Sequence, residues 1–330
     1  RVCIVGLGQH GLAVAEQLLK NPARWSLTAL VDGSVAAFMR FRSTFPELRV
    51  PFYRDLGDAL EQGLDAVHVV TSAPSHVSIA KAVVRSGFEG ALLIEKPVSN
   101  SVAEADGLVE LMRSLDWKGR AAVDYHRRCS KLYAGIEHSI RSGEYGKLLG
   151  VEFSRACKLS MNGAHFVDLA NWFIDAAPVS VAAELDEHST LDHRGAFFFD
   201  PAGKVEVTYQ NGLKFELDAR GKADVAARGI TVHLENADLR VNDVESLLEI
   251  RTPAGTRTLP SDREANALNW VETTLLSLLD PATGYSPCSI GHSLDSLAVI
   301  VAAHLSDRDG GRAITLPLEA HARRTVLRVA

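Results

Sequence analysis

Three short runs in this chain have residue types and spacing suited to chemistry: Gly6-Leu7-Gly8-Gln9-His10-Gly11, Glu95-Lys96-Pro97, and Gly163-Ala164-His165-Phe166-Val167-Asp168. The first is a G-x-G-x-x-G pattern. Its first glycine permits a tight turn, its second lets backbone approach a pyrophosphate, and its third lets the following helix pack close. The N-terminus of that helix then faces the phosphates. Asp32 follows the glycines by about 20 residues, the spacing at which a carboxylate accepts both hydroxyls of an adenosine ribose and repels a 2′-phosphate. These residues predict a bound dinucleotide, NAD in preference to NADP. Arg40 and Arg42 are the side chains through which a 2′-phosphate can still be met. The plain alternative is a glycine turn followed by a surface aspartate that caps the next helix.

Lys96 closes a predicted strand over 91–94. A lysine at the carboxyl end of a central parallel strand faces the ligand crevice of an open α/β sheet. A cation there holds a substrate hydroxyl and stabilises the alkoxide character that develops as hydride leaves. Pro97 restricts the backbone and is a candidate for a cis bond. Taken alone, the run is equally a strand end entering a loop. His165 begins a predicted helix over 164–174, and Asp168 shares its helical face. A carboxylate so placed orients an imidazole and raises its basicity, which suits a general acid/base. The competing reading is a helix-start histidine capped by its own aspartate.

The elements that must position these residues change character along the chain. Apolar runs at 1–5, 27–31, 65–70, 91–94 and 120–125 alternate with helical segments, beginning with 12–19, where Leu12, Ala15, Leu18 and Leu19 share a face. Short, nearly continuous apolar strands separated by helices predict a doubly wound parallel sheet. After Arg128 the pattern turns to polar–apolar alternation at 204–209 and 213–217, joined by Asn211-Gly212, a strong hairpin signal. Further alternation at 230–234 and 247–250, a strand over 149–155, and helices over 265–279 and 294–305 predict a mostly antiparallel sheet with a few helices.

Composition narrows the class. A chain of 330 residues is long enough for two domains. A net charge of -6 argues against general nucleic-acid binding, which needs a basic face. No apolar run reaches the roughly 18 residues of a membrane span. Cys3, Cys129, Cys157 and Cys288 are scattered, with no Cys-x-x-Cys, so a reducing, cytoplasmic setting is expected, and Cys129 and Cys157 are expected to be buried and inert. Arg1 falls just inside a predicted strand, as in a chain whose first residues are missing. No metal site is expected: His188 and His193 lie near Asp186 and Asp192, but at no common ligand spacing. Ser72, Ser75 and Ser78 lie in no nucleophile elbow.

The glycine loop, Asp32, Glu95-Lys96-Pro97 and the run 163–168 together resemble, in order and spacing, the glucose-fructose oxidoreductase / inositol dehydrogenase (Gfo/Idh/MocA) family. The segment 71–80, with Pro74 and His76, is similar to that family's fourth strand and loop, and 293–317 to its closing helix and strand, so the resemblance covers essentially the whole chain. It implies an α/β fold: an N-terminal Rossmann doubly wound parallel sheet over 1–127, and a C-terminal α+β substrate-binding and oligomerisation domain over 128–330 with a large open, mostly antiparallel sheet, the C-terminal helix and strand packing back on the first. It implies NAD contacts from Gly6, Gly8, Gln9, His10, Gly11, Asp32, Thr71, Glu95 and Lys96. Lys96 and His165 would be the catalytic pair, oriented by Asp168. Tyr125, Arg128 and Asn162 would join Lys96 and His165 around a small, sugar-like substrate, and the enzyme would be a homodimer or homotetramer. For Arg127 and Arg128, a solvated basic patch is an equal reading, and for His76 a structural role is expected.

The implied activity is NAD(H)-dependent hydride transfer at a secondary hydroxyl or ketone of a sugar, cyclitol or nucleotide-linked sugar. One departure stands out. The family commonly carries an aspartate four residues before the histidine, where this chain has Met161, which can neither accept a proton nor hold a charge. Two other readings stand beside this one, and that departure invites the second of them. One is an NAD-dependent glycoside hydrolase working by transient oxidation, with Tyr125 or His126 as the extra base. The other is a non-catalytic dinucleotide sensor.

Overall fold

The computed structural model describes residues 1–186, 198–220, 229–242, 247–260 and 270–329. His188, His193 and Asp192, weighed above as metal ligands, lie outside the described residues. The chain forms two compact units: Arg1–Ser99 with Glu104–Cys129 and Ala267–Gly291, and Asn100–Ala103 with Ser130–Asn266 and His292–Ala330.

In the first unit strand and helix alternate: β1 (Val2–Val5), α1 (Gln9–Leu19), β2 (Leu27–Val31), α2 (Val35–Thr44), β3 (Phe52–Tyr53), α3 (Leu56–Leu60), β4 (Ala66–Val69), α4 (Ala73–Arg85), β5 (Ala91–Ile94), α5 (Val102–Ser114) and β6 (Arg120–Val123). Every residue of β1, β4 and β5 is buried, as required of strands covered on both faces. The six strands run parallel in the order β6-β5-β4-β1-β2-β3.

The second unit holds α6 (Lys131–Ser142), β7 (Leu148–Ser154), α7 (Ala164–Ile174), β8 (Pro178–Asp186), β9 (Ala202–Tyr209), β10 (Lys214–Asp218), β11 (Gly229–Leu234), β12 (Ala237–Asn242), β13 (Leu247–Thr252) and β14 (Gly255–Pro260). The chain then gives α8 (Trp270–Leu279) and β15 (Cys288–Ser289) to the first unit, before α9 (Ile290–Arg308), β16 (Ile314–Thr315) and α10 (Ala320–Arg323). Val271, Leu275 and Leu278 of α8 share one core with Ile4, Leu93 and Ala122 of the parallel sheet and Val14 and Leu18 of α1. That apolar stripe is why a segment so late in the chain belongs to the first unit. β15 pairs antiparallel with β6.

The second unit's sheet runs β14-β13-β12-β11-β7-β10-β9-β8-β16. All its pairings are antiparallel except β10 with β7. Along β9 and β10 every second residue is buried, so one face packs and the other is polar. The expected hairpin forms at Asn211-Gly212: Gly212 takes φ +84°, and Tyr209 N–H donates to Leu213 O at 2.9 Å. The packed face carries α7, whose Phe166 stacks on Phe153 of β7 with ring centroids 3.6 Å apart. Among the described residues no helix is long and apolar enough to cross a membrane.

His304 lies buried within α9, near the Phe199 ring. Burial, and then the Arg308 cation, push its pKa down to about 4. The unfolded chain therefore takes up this proton first as pH falls below the ordinary histidine range, so the stability held by neutral His304 is lost between about pH 6.5 and pH 4. At pH 5 the loss is about 2 kcal/mol. Urea unfolding at pH 7 and pH 5 should show it, and His304→Gln should reduce the difference; an unchanged difference would contradict this account.

Candidate functional site

The turn from β1 into α1 is built around space that side chains would fill. Gly6 has φ +104°, and a Cβ there would lie 2.8 Å from Val70 O and 2.9 Å from Thr71 N. A Cβ on Gly11 would lie 2.0 Å from Gly6 O, so no side chain fits where α1 crosses the turn. Gly8 is different: a Cβ there would meet nothing within 4 Å. What a side chain at Gly8 would fill is open space in front of the N-terminus of α1, which has no capping side chain and no acidic residue in its first turn. The N–H groups of a helix's first turn and the positive end of its dipole suit a pyrophosphate at that place.

Asp32 ends up beside this turn. Its Oδ2 accepts the Leu7 N–H at 2.7 Å and its Oδ1 accepts the Ser34 N–H at 2.8 Å. Each oxygen keeps a lone pair, so the carboxylate is held rigidly and can still accept two ribose hydroxyls. Gly6, Gly8, Gly11 and Asp32 thus fit NAD in the roles expected of them.

A second cluster sits at the carboxyl ends of β4, β5 and β6. His68 pairs in register with Leu93 and Leu93 with Ala122. Glu95 and Asp124 lie two positions further along their strands, so alternation puts His68, Glu95 and Asp124 on one face of the sheet. His10, exposed at the start of α1, reaches the same place: its Nε2 lies 2.8 Å from Glu95 Oε1. The Glu95 hydrogen bond raises the His10 pKa above the ordinary histidine value. Burial pushes Glu95 up, but the hydrogen bond from His10 and the cations around it outweigh burial and hold it below the usual carboxylate range. Burial pushes His68 down to about 4, so its imidazole is neutral.

Lys96 is partly exposed and follows Glu95 directly, its N–H donating back to Glu95 Oε2 at 3.2 Å. The Lys96–Pro97 bond is cis, as its sequence suggests. His76 straps this loop down: Nδ1 lies 2.8 Å from Pro97 O and Nε2 2.9 Å from Thr71 O. Its place is structural, linking the exits of β4 and β5. Thr71 accepts a hydrogen bond from Ser75 Oγ at 2.8 Å, and Gln9 is exposed at the first turn of α1.

After β6 come Tyr125 and a 3₁₀ turn, His126–Cys129. Tyr125, Arg127, Arg128 and Cys129 are buried. The reading of Arg127 and Arg128 as a solvated basic patch is therefore corrected: neither guanidinium is bathed in solvent. Burial, then the Arg127 cation, push His126 down to about 3, with Lys96 adding to the shift. Such a histidine is a weak base. Cys129 Sγ lies 3.3 Å from Thr274 Oγ1, Cys157 is partly exposed rather than buried, and none of the four cysteines forms a disulfide.

In the second unit, His165 opens α7 directly after a π-helical turn, Leu159–Gly163. His165 and Asp168 are buried, Met161 is partly buried and Asn162 is exposed. Burial first, and then the Asp295 and Asp168 carboxylates, raise the Tyr209 pKa. Tyr209 in turn donates to Asn171 Oδ1 at 2.7 Å. A carboxylate that sequence spacing does not reveal holds the turn itself: buried Asp200 accepts from Ser160 N–H at 2.7 Å and from Met161 N–H at 2.9 Å. Lys96 and Tyr125–Arg128 belong to the first unit, and Asn162, His165 and Asp168 to the second.

Residues 1–120 match the model of the Gfo/Idh/MocA oxidoreductase family, NAD-binding Rossmann fold. No curated protein matches the chain. Solved structures share its fold along nearly its whole length. An oxidoreductase from Agrobacterium radiobacter, in complex with NAD+, L-tartaric acid and magnesium, is similar at 15% identity and TM-score 0.77, over 95% of this chain and 97% of that one. Myo-inositol 2-dehydrogenase from Lactobacillus plantarum is similar at 17% identity and TM-score 0.73, over 96% and 98%. Aldose-aldose oxidoreductase from Caulobacter crescentus, complexed with glycerol, is similar at 16% identity and TM-score 0.73, over 96% and 99%.

Gly8→Ala should leave thermal stability unchanged and weaken NAD binding at least tenfold by calorimetry, about 1.4 kcal/mol, because the added methyl meets only the cofactor. Gly11→Ala should instead lower the melting temperature, at a cost on the order of 3 kcal/mol. Asp200→Ala strands two N–H donors and should destabilise by roughly 1–3 kcal/mol for each that stays dry, with Asp200→Asn losing less; equal stability of both variants and wild type in urea would contradict the role given to Asp200.

Proposed function

We propose, on the premise that this chain belongs through residues 1–120 to the Gfo/Idh/MocA family of NAD-binding oxidoreductases, that it moves a hydride between nicotinamide and a secondary hydroxyl or ketone of a sugar, cyclitol or nucleotide-linked sugar. The observation that carries this reading is the 2.8 Å bond between His10 and Glu95. It ties the glycine loop to the segment bearing Lys96, so the residues that would hold the dinucleotide and the one that would hold the reacting oxygen are set by one rigid contact.

Bound NAD supplies the hydride acceptor. Lys96 donates a hydrogen bond to the substrate oxygen and stabilises its anionic character as the C–H electron pair departs. His165 takes the hydroxyl proton as the carbonyl forms, and returns it in the reverse direction. Asp168 orients His165, while Met161 contributes no charge and Asp200 holds its backbone in place. Tyr125, Arg128 and Asn162 line the substrate. The polyol and aldose chemistry named for the Lactobacillus and Caulobacter proteins is of the class assigned here. The polar face along β9 is the surface through which the chain would self-associate into a homodimer or homotetramer; a single-chain mass by light scattering would contradict that.

A panel of polyols, free sugars and nucleotide sugars, assayed with NAD and NADP by reduced-nicotinamide absorbance, tests the reading. One class should be oxidised with NAD, and Lys96→Ala and His165→Ala should each lower kcat/KM by about 10²–10⁴-fold. Sugar release without net reduction would instead indicate the hydrolase, a reading the weak basicity of His126 disfavours. Silence with NAD bound would favour a sensor.

A further inference from the structure

The face of the parallel sheet beyond β4, β5 and β6 gathers a histidine and two carboxylates in a place where none of them meets bulk water. His68 is 0% exposed, Asp124 1% and Glu95 8%. Neither ring nitrogen of His68 has a hydrogen-bond partner. Its Nε2 faces Glu95 Oε1 at 3.8 Å and Asp124 Oδ2 at 4.0 Å, too far for a hydrogen bond to either. One ligand atom from each of the three residues lies within 4.8 Å of the other two.

This arrangement is costly as it stands. A buried imidazole with both nitrogens unsatisfied loses the hydrogen bonds that water would have given it. Two carboxylates closing on one point repel each other in a medium of low dielectric. Water could satisfy the imidazole but would not offset the repulsion between the carboxylates. A cation answers both at once. A tetrahedral site with bonds of about 2.1 Å puts its ligand atoms roughly 3.4 Å apart, against 3.8 and 4.0 Å from His68 Nε2 to the two carboxylates and at most 4.8 Å between any two of the three ligand atoms. We propose that His68, Glu95 and Asp124 bind one divalent first-row transition ion of the zinc class, which pins the carboxyl ends of β4, β5 and β6 together.

The donor set decides the class. One imidazole with two carboxylate oxygens suits zinc or manganese better than the all-oxygen sites of magnesium and calcium. The His10 contact holds the Glu95 carboxylate toward the site, and the His10 side chain is itself 45% exposed, so solvent comes within one side chain of the cluster. The cation would stand one residue from Lys96 and stiffen the loop that carries it. This site is independent of the substrate assigned above.

The untagged full chain, stripped with chelator and desalted, should take up one equivalent of Co²⁺ with a visible spectrum of nitrogen and oxygen ligation. One equivalent of Zn²⁺ should displace it and raise the melting temperature by several degrees, as binding to the folded state alone requires. His68→Val, which places an ordinary strand residue in an apolar strand, and Asp124→Asn should each weaken uptake at least 100-fold while remaining folded by circular dichroism. Should one variant fail to fold, the other decides together with the wild-type spectrum. No uptake, a thiolate charge-transfer band, or undiminished binding in the folded variants would overturn the proposal.

Discussion

The architecture of the first unit depends on one close approach, that of α1 to the turn that precedes it. With 2.0 Å between a Gly11 Cβ position and Gly6 O, the helix can start where it does only if both residues lack side chains. That start leaves the N-terminal N–H groups of α1 open and lets Asp32 lock the turn through Leu7. It also swings His10 over the sheet to meet Glu95. Lys96 then follows without further adjustment, because it is the next residue along a chain whose strand end is fixed. Cofactor cradle and candidate catalytic lysine are thus consequences of one backbone constraint, propagated through a single hydrogen bond.

The electrostatics follow from where the charges lie. Exposed pairs such as Lys20 with Glu16 contribute little, because solvent screens them. The strand-end cluster is another matter. There burial makes each unpaired polar atom expensive, and the same burial drives His68 and His126 to their neutral forms. In the second unit Asp200 plays a quieter part, closing the backbone of the turn before His165 through two charge-assisted bonds.

Much of this was legible in the sequence, and the exceptions have physical causes. The glycine spacing, Asp32, the apolar strands and the Asn211-Gly212 hairpin are local signals, and each appears where its local chemistry puts it. The start of α7 at Ala164 is equally local. What depends on register between distant strands was not legible. His68 and Asp124 each sit inside an apolar run, and only the pairing of β4, β5 and β6 reveals that both share a face with Glu95. A histidine in the middle of a buried strand was the available clue. Asp200 lies 39 residues from the turn it holds, with no pattern linking them. The burial of Arg127 and Arg128 likewise comes from tertiary packing, which a run of basic residues cannot announce.

In the proposed function the glycine turn and Asp32 hold an NAD-type dinucleotide for hydride exchange. The most direct test is titration of the purified chain with NADH and with NADPH, read by nicotinamide fluorescence. NADH should saturate at one per chain, with NADPH binding at least tenfold more weakly, because a 2′-phosphate would face the Asp32 carboxylate. Failure of both nucleotides to saturate would contradict the account, whatever substrate is supplied.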